Sequence, residues 1–464
     1  MSQRHTSRRA FLTAAGTTAT IGLTGCLGNG GDGGGGGDSG GGGDSSGGSG
    51  NGGGDGGSGG GDGGDTSTTI TYLSDRGDSK DVIDQIIAEF EAEFDYTVNV
   101  TYTAKGTSTD EQLQKMRAAN NPPDIVFDTA SDAYRYQREG NAGPVSEAVQ
   151  GTGLPDPVNG EGESYFVPTM VEPLMGWYRN DIYDENPTTW ENWLAEAQRA
   201  SEEEDINGYV VQSGNTNNAD TSVTQTLWQN DVDIYSGPEG DIEVTIDQGE
   251  NRTRAVETFE WLASMAEYAP NGSGWEWGDA IAALQQENAA AAMSVGGLPI
   301  LTIMGNRPDL VDKLSPTAFP VPDGKEQDKW WAYMEGHVVW SGGEATEGAR
   351  EFVNFFNQSD RFMDFLLSAP LFQFPPTREG LDSEAYTTNE VVQNNPEVME
   401  LVRENWDAFT TVLATGDDGA PNIVGADAYG QQKFGEAADQ LLVGGLSPEE
   451  TVDWLAEELR ALQG

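Results

Sequence analysis

Carboxylates and aromatic rings are the side chains here with the numbers to do chemistry; thiols and imidazoles are nearly missing. Among 464 residues there are 77 acids and 12 tryptophans, but two histidines, His5 and His337, and one cysteine, Cys26. One thiol closes no internal disulfide and builds no zinc knuckle, and two histidines cannot furnish a His-rich metal site or a repeated imidazole relay. No G-x-S-x-G elbow, phosphate loop or H-E-x-x-H stands in a strand–turn–helix setting. "GDDGAPNIVGAD" (416–427) has the acids of a calcium loop but lacks the glutamate twelve residues from the first ligand. No metal or cofactor is therefore expected. The acids leave open a glycoside hydrolase, which needs two carboxylates about 5 to 9.5 Å apart across a sugar.

Cys26 is explained by its neighbours. Residues 1–25 contain Arg4, Arg8 and Arg9, no acid, and the apolar or small run Ala10 to Leu23. This has the build of an export signal and is too short to span a membrane. "SRRAFL" resembles the twin-arginine signal, which is read by a receptor on a route that carries folded proteins. "LTGC" (23–26) resembles the lipobox of exported lipoproteins, in which the mature chain begins at the cysteine and its sulfur takes a lipid. Cys26 is then a membrane anchor, and 1–25 a signal. Residues 26–67 follow as a lipid-attached linker, which from Gly28 to Ser67 is almost entirely Gly, Asp, Ser and Asn with no core-forming residue; a 40-residue coil of this kind spans about 35 Å.

Charge reports where the chain works. The net charge of −53 becomes −56 once the three signal arginines are removed. Nucleic acid is excluded as a partner, since phosphate binding needs clustered cations. The acids are scattered, and only seven of the basic residues are lysine. Such a surface resembles that of haloarchaeal proteins, for which molar salt cuts the Debye length to about 3 Å and makes self-repulsion tolerable.

From Thr68 the pattern predicts a strand (68–73), a helix with Val82, Ile83, Ile86, Ile87, Phe90 and Phe94 on one face, and a strand (96–103). A helix (110–119) closed by "NNPP" and a third strand, "DIVFD", complete a βαβαβ unit. That order implies a mostly parallel sheet whose strand C-termini form the ligand edge.

Six blocks in order carry a more specific resemblance. They are "NNPPDIVFDTASDAYRYQREGNAGPVSEAV", "YFVPTMVEPLMGWYRNDIYDENPTTWENW", "DAIAALQQENAAAAMSVGG", "EGAREFVNFF", "FPPTREG" and "LSPEETVDWLAEELRAL". Together they resemble the extracellular solute-binding proteins of ABC importers, in the family whose best-known members bind sugars. The pattern departs at Asn288, where glycine is commoner, and at Asp128, where some relatives place tryptophan. The resemblance implies an α/β, two-lobed, type II periplasmic-binding-protein-like fold with the ligand cleft between lobes. Lobe 1 is expected at 68–168 plus 336–372 and lobe 2 at 169–335 plus 373–464, joined by crossings near 165–170, 335–339 and 371–375. It also implies capture by hinge closure, delivery to importer permease subunits and a monomer lipid-anchored at the outer face of the membrane. The other readings are the cell-surface hydrolase and a ligand-presenting sensory receptor.

A sugar offers planar sets of hydroxyls and apolar C–H faces, so its site needs acids, amides or arginine for paired hydrogen bonds and rings for stacking. Asp75 and Arg76 follow the first strand at the ligand edge. Asp128, Ser131 and Asp132 follow the third, in a loop from which relatives contact sugar. Glu172 stands where an acid meets ligand in sugar-binding relatives, and a carboxylate among Val171, Pro173 and Leu174 is costly unless paired. Asn217 in a polar loop, Trp277 beside glycine, Trp331 and Glu335 before the second crossing, and Phe374 at the third complete the expected set. Trp190 is assigned to structure. A disaccharide or oligosaccharide ranks ahead of a polyol phosphate or a polyamine; the anionic candidates count against the phosphate.

Overall fold

Strand β1 (Thr68–Ser74) is β-branched and aromatic, and all seven of its residues pair in parallel with β2 (Tyr96–Tyr102), from its first residue to its last. Between them, helix α1 (Lys80–Glu93) buries Ile83, Ile86, Ile87 and Phe90 on one face of the sheet. Helix α2 (Thr107–Ala118) leads to β3 (Ile125–Thr129), again parallel to β1, and α3 (Ala130–Arg138) starts without an intervening loop. The computed structural model describes residues 68–103, 107–145, 159–160, 163–270, 272–326, 328–343, 345–416 and 420–463. Cys26, the twin arginines and the linker lie outside them.

The sheet continues into the second half of the chain through two long strands, β4 (Val167–Arg179) and, later in the chain, the strand Trp330–Val339. Every residue of β4 is buried. With β5 (Ala291–Val295), β6 (Leu314–Thr317), β7 (that strand, Trp330–Val339) and β8 (Phe409–Thr410), it forms an eight-stranded sheet of order β6-β4-β7-β3-β1-β2, with β5 on β4 and β8 on β7. The expectation of a mostly parallel sheet is corrected here. β7 runs antiparallel to both β3 and β4, and β4 antiparallel to β5 and β6. Long strands that pass from one half of the molecule to the other enter reversed, so parallel pairing survives only for β1–β2, β1–β3 and β7–β8.

The passage of β7 against β4 has a bulge between Glu335 and Gly336. A Cβ on Gly336 would lie 1.9 Å from the Val167 carbonyl oxygen, so only glycine lets the two backbones meet there. A third connection touches the same place: Val171 and Phe374 exchange backbone hydrogen bonds of 3.0 and 3.1 Å. Just before it, Leu371 has φ +67°, in the left-handed region unusual for a side chain of its kind, and the Gly297 N–H donates to its carbonyl at 2.5 Å.

The buried apolar side chains of the described residues form four clusters, two of them rich in aromatic rings. In the first, Tyr72, Phe90, Phe352, Phe356 and Phe365 pack ring on ring beside Ile70. His337 sits inside it, fully buried between the Tyr72 hydroxyl (3.1 Å) and Thr169 Oγ1 (3.0 Å), and burial pushes its pKa down to about 3. It is a neutral core group. In the second, Trp190 stacks on Trp261 at 4.9 Å and Trp193 is fully buried among Tyr183 and Tyr209.

Candidate functional site

Where β1 ends, the chain turns inward, and Arg76 becomes one of the most buried side chains, 2% exposed. Its Nε donates to Asp75 Oδ1 at 2.7 Å and its Nη2 to Asp75 Oδ2 at 2.8 Å. Nη1 reaches Glu172 Oε1 on β4 at 3.0 Å, and Nη2 lies 2.9 Å from Glu335 Oε2 on β7. The guanidinium carbon also rests 5.4 Å from the centre of the Phe127 ring. Burial works against the charge, but the carboxylates of Asp75, Glu335 and Glu172 outweigh it and hold the Arg76 pKa above its ordinary range. Four of the expected residues, from three distant stretches, are thus brought together where both long strands pass.

The β3–α3 junction supplies a second polar group. Thr129 caps α3, accepting from the Asp132 N–H at 3.2 Å, while its own hydroxyl donates to Asp132 Oδ2 at 2.6 Å. Asp128 accepts from the Thr129 N–H (2.8 Å) and the Tyr136 hydroxyl (2.7 Å). Its carboxyl is nonetheless pushed well up, first by desolvation and then by the charges of Asp132 and Asp110. Arg135 Nη1 donates to Asp132 at 2.8 Å and its Nε lies 3.5 Å from Asp427; next to it, the Tyr134 hydroxyl donates to Glu239 at 2.8 Å. These last two contacts link α3 to segments of the second half.

Beside the β3–α3 junction lies a cavity of about 10 Å³ lined by Thr129, Ala130 and Ser131 on one side and Trp331 to Met334, Thr411 and Tyr429 on the other. Ordinary ligand pockets have roughly 300–1,000 Å³, so this conformation is nearly shut. Trp331 lies against Trp228 (5.5 Å, 24°) and Tyr429 (5.5 Å) and is 2% exposed. Its Nε1, and Oγ1 of the buried Thr411, have no partner among the described residues although both residues line the cavity. A larger surface depression, about 400 Å³ around Phe94 and Phe355, sits at the C-terminal end of α1, the opposite edge from the strand C-termini.

Other expected residues lie elsewhere. Asn217 opens helix Asn217–Gln229 and accepts from Gln432 Nε2 at 2.7 Å. Trp277 opens helix Trp277–Gln285, partly buried against the second core, and Phe374 is fully buried, its ring 6.3 Å from Tyr386. None of the three lines the cavity. Helix Asn217–Gln229 is buried almost throughout: Val223, Leu227 and Trp228 join the second core, while its polar side chains find partners, with Thr221 bonded to the Tyr333 hydroxyl and Gln225 Oε1 accepting from the Trp331 N–H. Thr411 and Tyr429 were not expected at all. Only the pairing of β8 with β7 brings Thr411 beside Trp331, and nothing in a two-residue strand announces that. Among the described residues no group of three or more His, Cys, Asp or Glu is arranged to hold a metal, and no helix is long and apolar enough to cross a membrane.

The family profile of bacterial extracellular solute-binding proteins matches residues 74–360. Solved structures extend the likeness over nearly all of the described chain. A solute-binding protein of an ABC transporter from Thermotoga lettingae TMO, bound with α-D-tagatose, has a TM-score of 0.69 at 17% identity, over 86% of this chain and 100% of that one. Maltose-bound MalE3 of T. maritima gives 0.68 at 16%, over 85% and 100%. A sugar transporter protein of Arthrobacter chlorophenolicus A6 with laminaribiose gives 0.71 at 14%, over 85% and 99%. No curated protein sequence matches.

Proposed function

The chain belongs to the bacterial extracellular solute-binding protein family and has the two-lobed type II periplasmic-binding-protein fold with its cleft between the lobes, and on that premise we propose that it captures a disaccharide or oligosaccharide for an ABC importer. The observation that carries the reading is the cavity wall. Trp331 and Tyr429 offer aromatic surface, the Trp331 Nε1 and Thr411 Oγ1 wait for polar partners, and Asp75, Glu172 and Glu335 stand close by around Arg76. A ring for C–H faces and nearby groups for hydroxyls is what a sugar requires.

Binding proceeds by hinge closure: the ligand favours the shut state and shifts the population toward it. β4, β7 and the Val171–Phe374 contact serve as the three crossings, with the lobes divided at 68–168 plus 336–372 and 169–335 plus 373–464. The permease subunits of the importer read the shut form. Cys26 carries the lipid that holds the protein at the outer face of the membrane, after export by the twin-arginine route, and the acidic surface suits a haloarchaeal, high-salt setting. The protein acts as a monomer and turns nothing over.

The test is a panel of mono-, di- and oligosaccharides screened by thermal shift in molar salt, followed by calorimetry on the hits. At least one sugar should raise the melting temperature and bind stoichiometrically without being cleaved. Cleavage of the bound sugar would instead favour a hydrolase, and binding of none would overturn the sugar reading.

A further inference from the structure

The arginine at the centre of the site is already spent. All three guanidinium nitrogens of Arg76 are engaged: Nε by Asp75, Nη1 by Glu172, and Nη2 by Asp75 and Glu335, at 2.7 to 3.0 Å. One positive charge faces three carboxylates, and the exposure is lopsided. Asp75 and Glu335 keep 14% and 13% of their side chains accessible, against 2% for Arg76. The cluster adjoins the cavity, since Glu335 is the register partner of cavity-lining Thr129 and follows cavity-lining Met334. The second arginine at the cleft, Arg135, is likewise held by Asp132 and Asp427. Two buried side chains in the cavity, Trp331 and Thr411, have polar atoms without partners, and neither brings a positive charge.

A solute carrying a carboxylate or phosphate would therefore be desolvated against acids, with no cation released to pair with it. We propose that the cleft excludes anionic solutes, with Asp75 and Glu335 as the residues that determine this specificity, and that its ligand is an uncharged or amine-bearing glycan. The inference rests on the sugar-capture reading and narrows it. Arg76 acts as an internal counter-ion that positions Asp75 and Glu335 for hydroxyl or ammonium groups, and does not clamp an anion.

One disaccharide is compared in three forms, neutral, 2-amino and uronate, by calorimetry on the full chain at several salt concentrations. The uronate should bind at least a hundredfold more weakly than the better of the other two, and the gap should shrink as salt rises. Glu335→Gln and Asp75→Asn should each narrow the uronate-to-neutral ratio about tenfold. A purely structural role would lower both affinities together and leave that ratio unchanged. Uronate affinity equal to neutral overturns the exclusion while the sugar reading stands. If no glycan binds in any form, the sugar reading fails; citrate, inorganic phosphate and spermidine in the same panel then decide the charge rule, which either anion overturns by binding and spermidine alone upholds.

Discussion

Single residues in this site are held more by each other than the sequence suggests. Glu172 was expected at the ligand, and an apolar setting on a strand gave no sign of its partner; the structure pairs it with Arg76, 96 positions earlier, at 3.0 Å. Glu172→Gln is accordingly expected to lower ligand-free stability by about 1.5 to 3 kcal/mol, the range for a hydrogen bond to a charged group. A tenfold or larger loss of sugar affinity with an unchanged melting temperature would make it a ligand contact instead. Trp331→Ala is the companion: a ring buried against Trp228 and Tyr429 should cost about 3 to 5 kcal/mol whatever it does for ligand. Asp220 makes a different case. It is fully buried, its Oδ1 accepts from the Phe434 and Gly435 N–H groups, and its Oδ2 has no partner among the described residues. Desolvation pushes its pKa well up. A carboxyl raised on folding favours the protonated form, so its contribution is present at low pH and is lost as pH rises above the unfolded value of about 3.9 toward the folded one. Asp220→Asn should raise the melting temperature at neutral pH and flatten its fall above pH ~4; thermal melts across pH 4 to 8 check this.

Secondary elements were easier to read than their partners. Periodicity in Val82 to Phe94 and β-branching in Thr68 to Leu73 place α1 and β1 directly, because the core side of each is its own apolar face. Helix Asn217–Gln229 resists the same reading. In "NNADTSVTQTLWQ" only a narrow stripe, Ala219, Val223 and Leu227, is apolar, and burial of the rest depends on Gln212, Lys329, Trp331 and Tyr333 arriving from elsewhere to satisfy its polar side chains. The antiparallel entry of β7 was hidden for a related reason: strand direction is set by pairing across about 160 residues, which local pattern does not record. At this scale α3 matters most, since Tyr134 donates to Glu239 across the halves at 2.8 Å. Tyr134→Phe should reduce ligand affinity roughly fivefold, about 1 kcal/mol for one hydrogen bond lost from the shut state, and change the ligand-free melting temperature little. Calorimetry showing unchanged affinity would mean this contact does not stabilise closure.

For the whole molecule the governing quantity is charge. At −53 the chain repels itself, and the ion pairs spread over its surface are mostly exposed and individually weak. Dialysis from molar salt into dilute buffer should lower the melting temperature steadily, and a salt-independent melt would contradict the high-salt setting. The anchor is tested on the same scale. Cys26→Ser should release the protein to the medium or leave the signal uncleaved, and membrane association of a correctly processed variant would remove the lipid from the account.

The way β4 is sandwiched also sets a timetable for the ribosome. Its thirteen buried residues find β7 only after Val339 has been made, and β8 closes onto β7 later still, at Thr410. At roughly 5 to 20 residues per second, synthesis leaves β3 and β4 without their central neighbour for about ten to thirty seconds. A nascent chain stalled before Trp330 would display two apolar strand edges, an invitation to sticking. Nascent chains arrested at residue 320 should therefore recruit chaperones, and the completed, released chain should resist protease.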